Sequence, residues 1–227
     1  MLEGLSSSRK VGTFVKLPAL ESIDLCAASL DFCVVDYEHS QLAEGDVLRL
    51  VRHAAALGFP AVVRIPEVER GLANRLLEAG AAGLQLSSVR RAGEVRALRE
   101  AALYAPAGRR SISLAHPAAR YGAAPLREYL ADVARPLLVA QLETRETDDP
   151  LDEICAAGAD VIFLGLTDLL VDCALDEEAA RARADEIAAA AARAGVTLGG
   201  FGSDERFLYS VVSSDAALLR EAVAGVR

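Results

Sequence analysis

Six residues raise a chemical question. Asp36, Glu38 and His39 fall within VVDYEHS (34–40), Arg64 within VVRIP, Glu143 within QLET and Asp168 within GLTDL. The chain has only three histidines among 227 residues, so an imidazole directly behind two carboxylates invites a catalytic reading. Glu143 and Asp168 are hard oxygen ligands with little nitrogen or sulfur near them in sequence. They suit Mg2+ or Mn2+, with Co2+ as a further option, and such an ion keeps positions open for water and substrate. A chelated 2-oxo acid would have its ketone polarised there, and Arg64 would set a cation against the oxygen that turns negative in an enolate. His39, held by Asp36, would then be the general base, since an imidazole suits proton transfer near neutral pH. The set implies proton transfer and carbon–carbon cleavage through a pyruvate enolate. Taken singly, each residue has a plainer reading: a hydrogen-bonded structural histidine, a surface ion pair for Arg64, helix N-caps for the two acids. Together they argue for a site, because so many charges at one place are costly to bury unless they pair or hold a metal.

Something must bring these distant positions together. Short β-branched runs predict strands over 11–15, 32–36, 61–65, 83–86, 137–143, 161–165, 197–201 and 209–215. Stretches of helical period lie between most of them, for example 45–57, 69–79, 89–102, 126–134, 149–157 and 176–194. Gly58, Gly80, Gly158 and Gly195 follow four of these as helix-ending glycines would. Apolar strands alternating with helices mean parallel strands covered on their faces, and eight such units predict an α/β fold, a (β/α)8 TIM barrel formed by one domain over 1–227. In that architecture, chemistry belongs at the C-terminal ends of the strands, which is where Asp36, Arg64, Glu143 and Asp168 fall.

Composition narrows the classes further. The formal net charge of −9 and the lack of any basic tract argue against a nucleic-acid partner. Residues 1–10 lack an apolar signal core and no apolar run approaches membrane-spanning length, so a soluble, cytoplasmic protein with no membrane partner is expected. Cys26, Cys33, Cys155 and Cys173 are widely spaced without a Cys-x-x-Cys pair, which predicts reduced core thiols.

The chain resembles the HpcH/HpaI-type class II pyruvate aldolases, within the phosphoenolpyruvate/pyruvate barrel superfamily. The likeness runs collinearly from VGTFVKLPALESIDL through DFCVVDYEHS, VVRIP, LLEAGAAGLQLSSV, YAPAGRR, RYG and QLET to IFLGLTDLL, over about residues 11–170. It implies Asp36 and His39 as an acid/base dyad, Arg64 as the enolate-stabilising arginine, and Glu143 and Asp168 as metal ligands. It also implies that the Gly165–Asp168 loop binds the substrate carboxylate through the amides of Thr167 and Asp168. The substrates implied are a 2-oxo acid of pyruvate or oxaloacetate type and an aldehyde or acyl partner. The assembly implied is a homo-oligomer, a hexamer built as a trimer of dimers that exchange C-terminal helices, for which residues 216–227 leave room.

Departures from the family pattern fall in loops. Leu166 and Ser87 stand where the family usually has proline, and Ser111 where it has glycine. A larger anomaly lies downstream, where only GSDERFL separates the last two predicted strands, while a parallel crossover normally takes a dozen residues or more. A shortened closure is expected there, with the eighth strand paired differently or the barrel locally open and completed by a neighbouring subunit. The 104–121 stretch reads as a long excursion. Its Arg109 and Arg110 are either solvated charges or ligands of an acidic distal substrate group, and its His116 is a loop residue. His53 lies on the polar side of a helix, and Gly199, Gly200 and Gly202 provide backbone room near the rim rather than a phosphate cradle. The same enolate site would also serve a decarboxylase, an acyl-CoA lyase or a carbon–carbon bond-forming enzyme of secondary metabolism. A non-catalytic metabolite-binding barrel is the remaining alternative.

Overall fold

A computed structural model describes residues 8–226 of the chain, so most of the 1–10 segment lies outside the described residues. The elements run β1 (Lys10–Val15), α1 (Leu20–Ala27), β2 (Phe32–Asp36), α2 (Glu44–Ala56), β3 (Ala61–Ile65), α3 (Arg70–Ala79), β4 (Gly83–Leu86) and α4 (Ala92–Ala102). A 3-10 turn over Pro117–Gly122 follows, then α5 (Leu126–Asp132), β5 (Leu137–Leu142), α6 (Leu151–Cys155), β6 (Val161–Leu164), α7 (Leu166–Asp172), α8 (Glu177–Ala194), β7 (Thr197–Phe201), β8 (Tyr209–Ser214) and α9 (Asp215–Ala224). The eight strands close in sequence order into one parallel barrel. All eight strand predictions hold to within a residue at either end.

Side chains two residues apart on a strand share a face, and this alternation divides the apolar residues into two layers. Phe14, Phe32, Val34, Val139, Val161, Phe163, Tyr209 and Val211 form one buried cluster inside the barrel. A larger one, including Val35, Val63, Leu84, Leu138 and Ile162, packs the outer face of the sheet under the helices. Both faces are thus apolar, as a parallel sheet requires. Helix boundaries follow local capping. The Glu94 carboxylate accepts from the amides of Arg90 and Arg91, which starts α4 at Ala92 rather than at 89. Glu69 and Asp176 cap α3 and α8, and Gly80 and Gly195 end them with positive φ. All four cysteines are buried and free, as expected. Burial first, then the nearby Asp215 carboxylate, pushes the Cys26 thiol up to about 11. No helix among the described residues is long and apolar enough to cross a membrane.

The last crossover is as short as expected, but the barrel is not open there. β8 pairs in parallel with β7 on one side and with β1 on the other. β7 and β8 overlap at only three register pairs, Gly199 with Tyr209, Gly200 with Ser210 and Phe201 with Val211. The connection therefore returns over about two residues of strand, roughly 7 Å at ~3.3 Å per residue, and needs no helix to do so. Phe207 takes the helix's place. It is 1% exposed and belongs to the outer core, and its ring lies flat on Gly200, where any side chain would collide with it. The loop is tied to α8 by Arg206, which donates to Asp185 at 2.7 Å, and to its own Asp204.

Candidate active site

Interior positions near the C-terminal ends of the strands turn polar. Asp36 ends β2, and Arg64 is its register partner on β3. Gln85 follows on β4, and Gln141 and Glu143 lie on and just past β5. Asp36 is fully buried and receives five hydrogen bonds. Arg64 donates from Nε to Oδ1 at 2.9 Å and from Nη2 to Oδ2 at 2.6 Å, and Lys16 Nζ donates to Oδ2 at 2.5 Å. The amides of Glu38 and His39 reach Oδ1 at 3.2 and 3.1 Å. Burial alone would raise this carboxyl. The hydrogen bonds and charge of Arg64, with help from Lys16 and the His39 amide, more than offset that and hold it well below the usual carboxylate range.

Asp36 therefore meets His39 at its backbone amide and not at its ring. The imidazole is 58% exposed at the rim, and its Nε2 stands 3.7 Å from Glu38 Oε2. Glu38, rather than Asp36, is the carboxylate that faces the ring. Its other oxygen accepts from Ser87 Oγ at 2.7 Å, so Ser87, where the family usually has proline, supplies a donor that links β4 to this loop. Glu38 Oε2 also lies 3.4 Å from Arg64 Nε. The Arg64 guanidinium is stacked over the Phe14 ring at 4.5 Å, with Lys16 beside the same ring. Lys16 was not singled out from sequence, because one lysine after a strand carries no motif. Its ammonium bridges Asp36 and the His39 carbonyl, the latter at 3.0 Å.

Glu143 is nearly buried, and its hydrogen-bond donors are all neutral. Oε1 accepts from the amide and hydroxyl of Ser88, each at 2.7 Å, and Oε2 from Gln141 Nε2, which Gln85 orients in turn. Gly165 stands against this carboxylate, and a Cβ there would run into Oε2. Glycine at 165 thus lets the turn after β6 pack directly against Glu143. Asp168 lies exposed in the first turn of α7, directly after β6, and pairs with no cation among the described residues. Neither acid caps a helix. The first backbone bond of α7 runs from Leu169 N–H to the Gly165 carbonyl, so the amides of Thr167 and Asp168 have no intrahelical acceptor. Among the described residues no three His, Cys, Asp or Glu side chains converge as a ready-made metal cage. Glu143 and Asp168, at the ends of neighbouring strands, are oxygen donors of the type that suits an ion completing its shell with water and substrate.

The excursion after α4 does not reach this rim. It packs on the outside of the barrel, with Asn74 of α3 bonded to Ser111 at 2.6 Å and Arg52 of α2 to Tyr121 at 2.7 Å. Arg109 is a solvated charge near Glu100, whereas Arg110 is buried on the Tyr104 ring and His116 against Tyr129. His53 is held by Asp24 at 2.7 Å.

An eight-stranded parallel barrel with a charged, partly buried rim at the C-terminal ends of its strands is the frame of many barrel enzymes. The sequence matches the HpcH/HpaI aldolase/citrate lyase family over residues 10–222, and the chain belongs to that family. A hydroxypyruvate/pyruvate aldolase of Rhizorhabdus wittichii is 32% identical over 162 residues, 70% of this chain and 63% of that protein. Another, from Paraburkholderia phytofirmans, is 33% identical over 195 residues, 79% of this chain and 73% of that protein. The match thus spans less than two thirds of the first relative's length. The crystal structure of an HpcH/HpaI aldolase/citrate lyase family protein from Burkholderia cenocepacia shares the fold with a TM-score of 0.88 at 24% identity, covering 99% of this chain and 96% of that one.

Proposed function

We propose that this chain is a divalent-metal-assisted carbon–carbon lyase that makes or breaks an aldol bond of a 2-oxo acid through its enolate. The observation that carries the reading is Glu143, a buried carboxylate met by neutral donors and packed against Gly165, in the turn that leads to Asp168. Glu143 and Asp168 are the residues that would hold Mg2+, Mn2+ or Co2+, and the chemistry supplied there is Lewis-acid polarisation of a chelated 2-oxo acid. The names of the relatives, hydroxypyruvate/pyruvate aldolases, support pyruvate or a close analogue as that acid.

The chain's own groups account for the rest. The Nε–Nη2 edge of the Arg64 guanidinium is fixed on Asp36, and Nη1, which has no hydrogen-bond partner among the described residues, is left to meet the oxygen that gains charge in the enolate. Asp36 is in this reading the residue that aims Arg64. His39, exposed at the mouth, moves the methyl proton, and Glu38 is placed to stabilise its protonated ring. The amides of Thr167 and Asp168 receive the substrate carboxylate beside Gly165. The C-terminal α9 buries none of its side chains, and Leu219 and Val223 on it are exposed, which supports the homo-oligomer that the family likeness implies.

Exchange of the pyruvate methyl protons in D2O, followed by NMR with and without Mn2+, tests the proposal. Metal-dependent exchange that disappears in Glu143→Gln and His39→Ala is expected. Exchange that is indifferent to chelator and to both substitutions would refute it.

A further inference from the structure

Arg110 is 8% exposed, and its guanidinium makes no ion pair or hydrogen bond among the described residues, with Nε and Nη2 both buried and unpartnered. Arginine is charged at every working pH, so a buried guanidinium without a counter-charge is costly, and stacking on the Tyr104 ring at 4.6 Å offsets only part of that. The backbone holds it firmly. The Arg110 amide donates to the Leu103 carbonyl at 2.9 Å, and Tyr104 is braced by Tyr129 through their hydroxyls at 3.2 Å.

The side chain lines a cavity of about 220 Å3 whose other walls include Leu103, Ala107, Val133 and Pro136. No carboxylate lines it, although the chain as a whole carries a net charge of −9. Its second cation, Arg135, is already paired, with both oxygens of Asp160 at 2.8 Å. The cavity lies where α4 ends and β5 begins, so it is at the N-terminal pole of the barrel, opposite Asp36 and Glu143.

We propose that Arg110 and Tyr104 form a binding site for a small organic carboxylate at this pole, separate from the catalytic rim. The planar guanidinium fork matches a carboxylate, and the apolar walls favour an anion with an apolar body over a fully hydrated one. Nothing in the site supplies a group for covalent chemistry, so binding is its function.

Benzoate and inorganic phosphate, titrated at constant ionic strength, are the probes. In the full-length protein, benzoate should raise Tm saturably and shift the Arg110 Nε–H resonance in 1H–15N spectra, with phosphate doing neither. Arg110→Met, which keeps the stem and removes the charge, should have a Tm at or above that of the parent, lose the benzoate response and keep the parent's pyruvate exchange rate. The proposal fails if benzoate moves only rim resonances, if Arg110→Met responds as the parent does, or if phosphate is the better ligand. It also fails if Arg110 proves to be paired with a second copy, seen as dissociation of the assembly in Arg110→Met and no benzoate shift in the parent. The resonance readout uses the unsubstituted chain, so it decides the matter even if the variant does not fold.

Discussion

Asp36→Asn perturbs the most heavily connected side chain at the rim. The native carboxylate takes five hydrogen bonds, three of them from cations, and has no solvent exposure. An amide in its place has one acceptor oxygen and turns an NH2 toward one of those donor groups, leaving Arg64 buried with its main counter-charge gone. Breaking a buried pair from one side costs about 3–5 kcal/mol. The lower end applies here, because Glu38 lies 3.4 Å from Arg64 Nε and the Phe14 ring remains under the guanidinium. A loss of about 3 kcal/mol corresponds to roughly 6–12 °C in Tm for a chain of this size. The pH dependence has a definite sign. The folded-state pKa is depressed, so the stabilisation is complete above the ordinary carboxylate pKa of about 3.9 and is lost as pH falls from there through the folded value. Urea melts of parent and variant should therefore differ by a constant amount from about pH 5 to 8, and the gap should shrink in acid. A difference below about 1 kcal/mol at neutral pH, or one that widens in acid, would refute the assignment of Asp36 as the counter-charge of Arg64 and Lys16.

Three further outcomes follow from the same geometry. Gly165→Ala drives a methyl group onto Glu143 Oε2 and to within 2.6 Å of its Cβ, so the Mn2+ concentration for half-maximal pyruvate exchange should rise at least about tenfold, a loss of about 1.4 kcal/mol in ion binding, and Tm should fall with it. Lys16→Met removes one of three cationic donors from Asp36 while the Arg64 pair survives. Its stability cost should stay under about 1 kcal/mol because the ammonium is partly solvated, and a Tm loss as large as that of Asp36→Asn would contradict this ranking. Phe207→Ala should cost about 3–4 kcal/mol in urea melts, as for a fully buried aromatic ring, and much less in a Gly200→Ala background that has already displaced it.

What could be read from sequence followed from how strongly each signal is local. FCVVD and AVVRI are strands by composition alone, and their last interior residues, Asp36 and Arg64, had to face each other once the register was set. LTDLLVD is a seven-residue helix, α7, too short for periodicity to register, and no side chain caps it. Partner choice was the weaker inference. Two carboxylates sit within three residues of His39, and chain order cannot say that backbone curvature turns Asp36 inward to Arg64 and leaves Glu38 beside the ring. The shortened closure after β7 was legible, but not that the barrel stays shut there, because crossover lengths assume fully overlapping strands, whereas these share three register pairs. Arg110 read, like Arg109, as a solvated charge or a ligand of an acidic distal group, and only tertiary packing separates it from the exposed Arg109.

A cylinder whose wall is mostly roofed by helices has, among the described residues, a thin strip at β7 and β8, where Phe207 covers one side and α9 buries no side chain on the other. Amide exchange at native pH should begin along that strip, at the β7–β8 ladder around Gly200 and Ser210, well before the β2–β3 ladder that carries Asp36 and Arg64. The barrel can thus breathe beside β6 while the Asp36–Arg64 pairing stays in register.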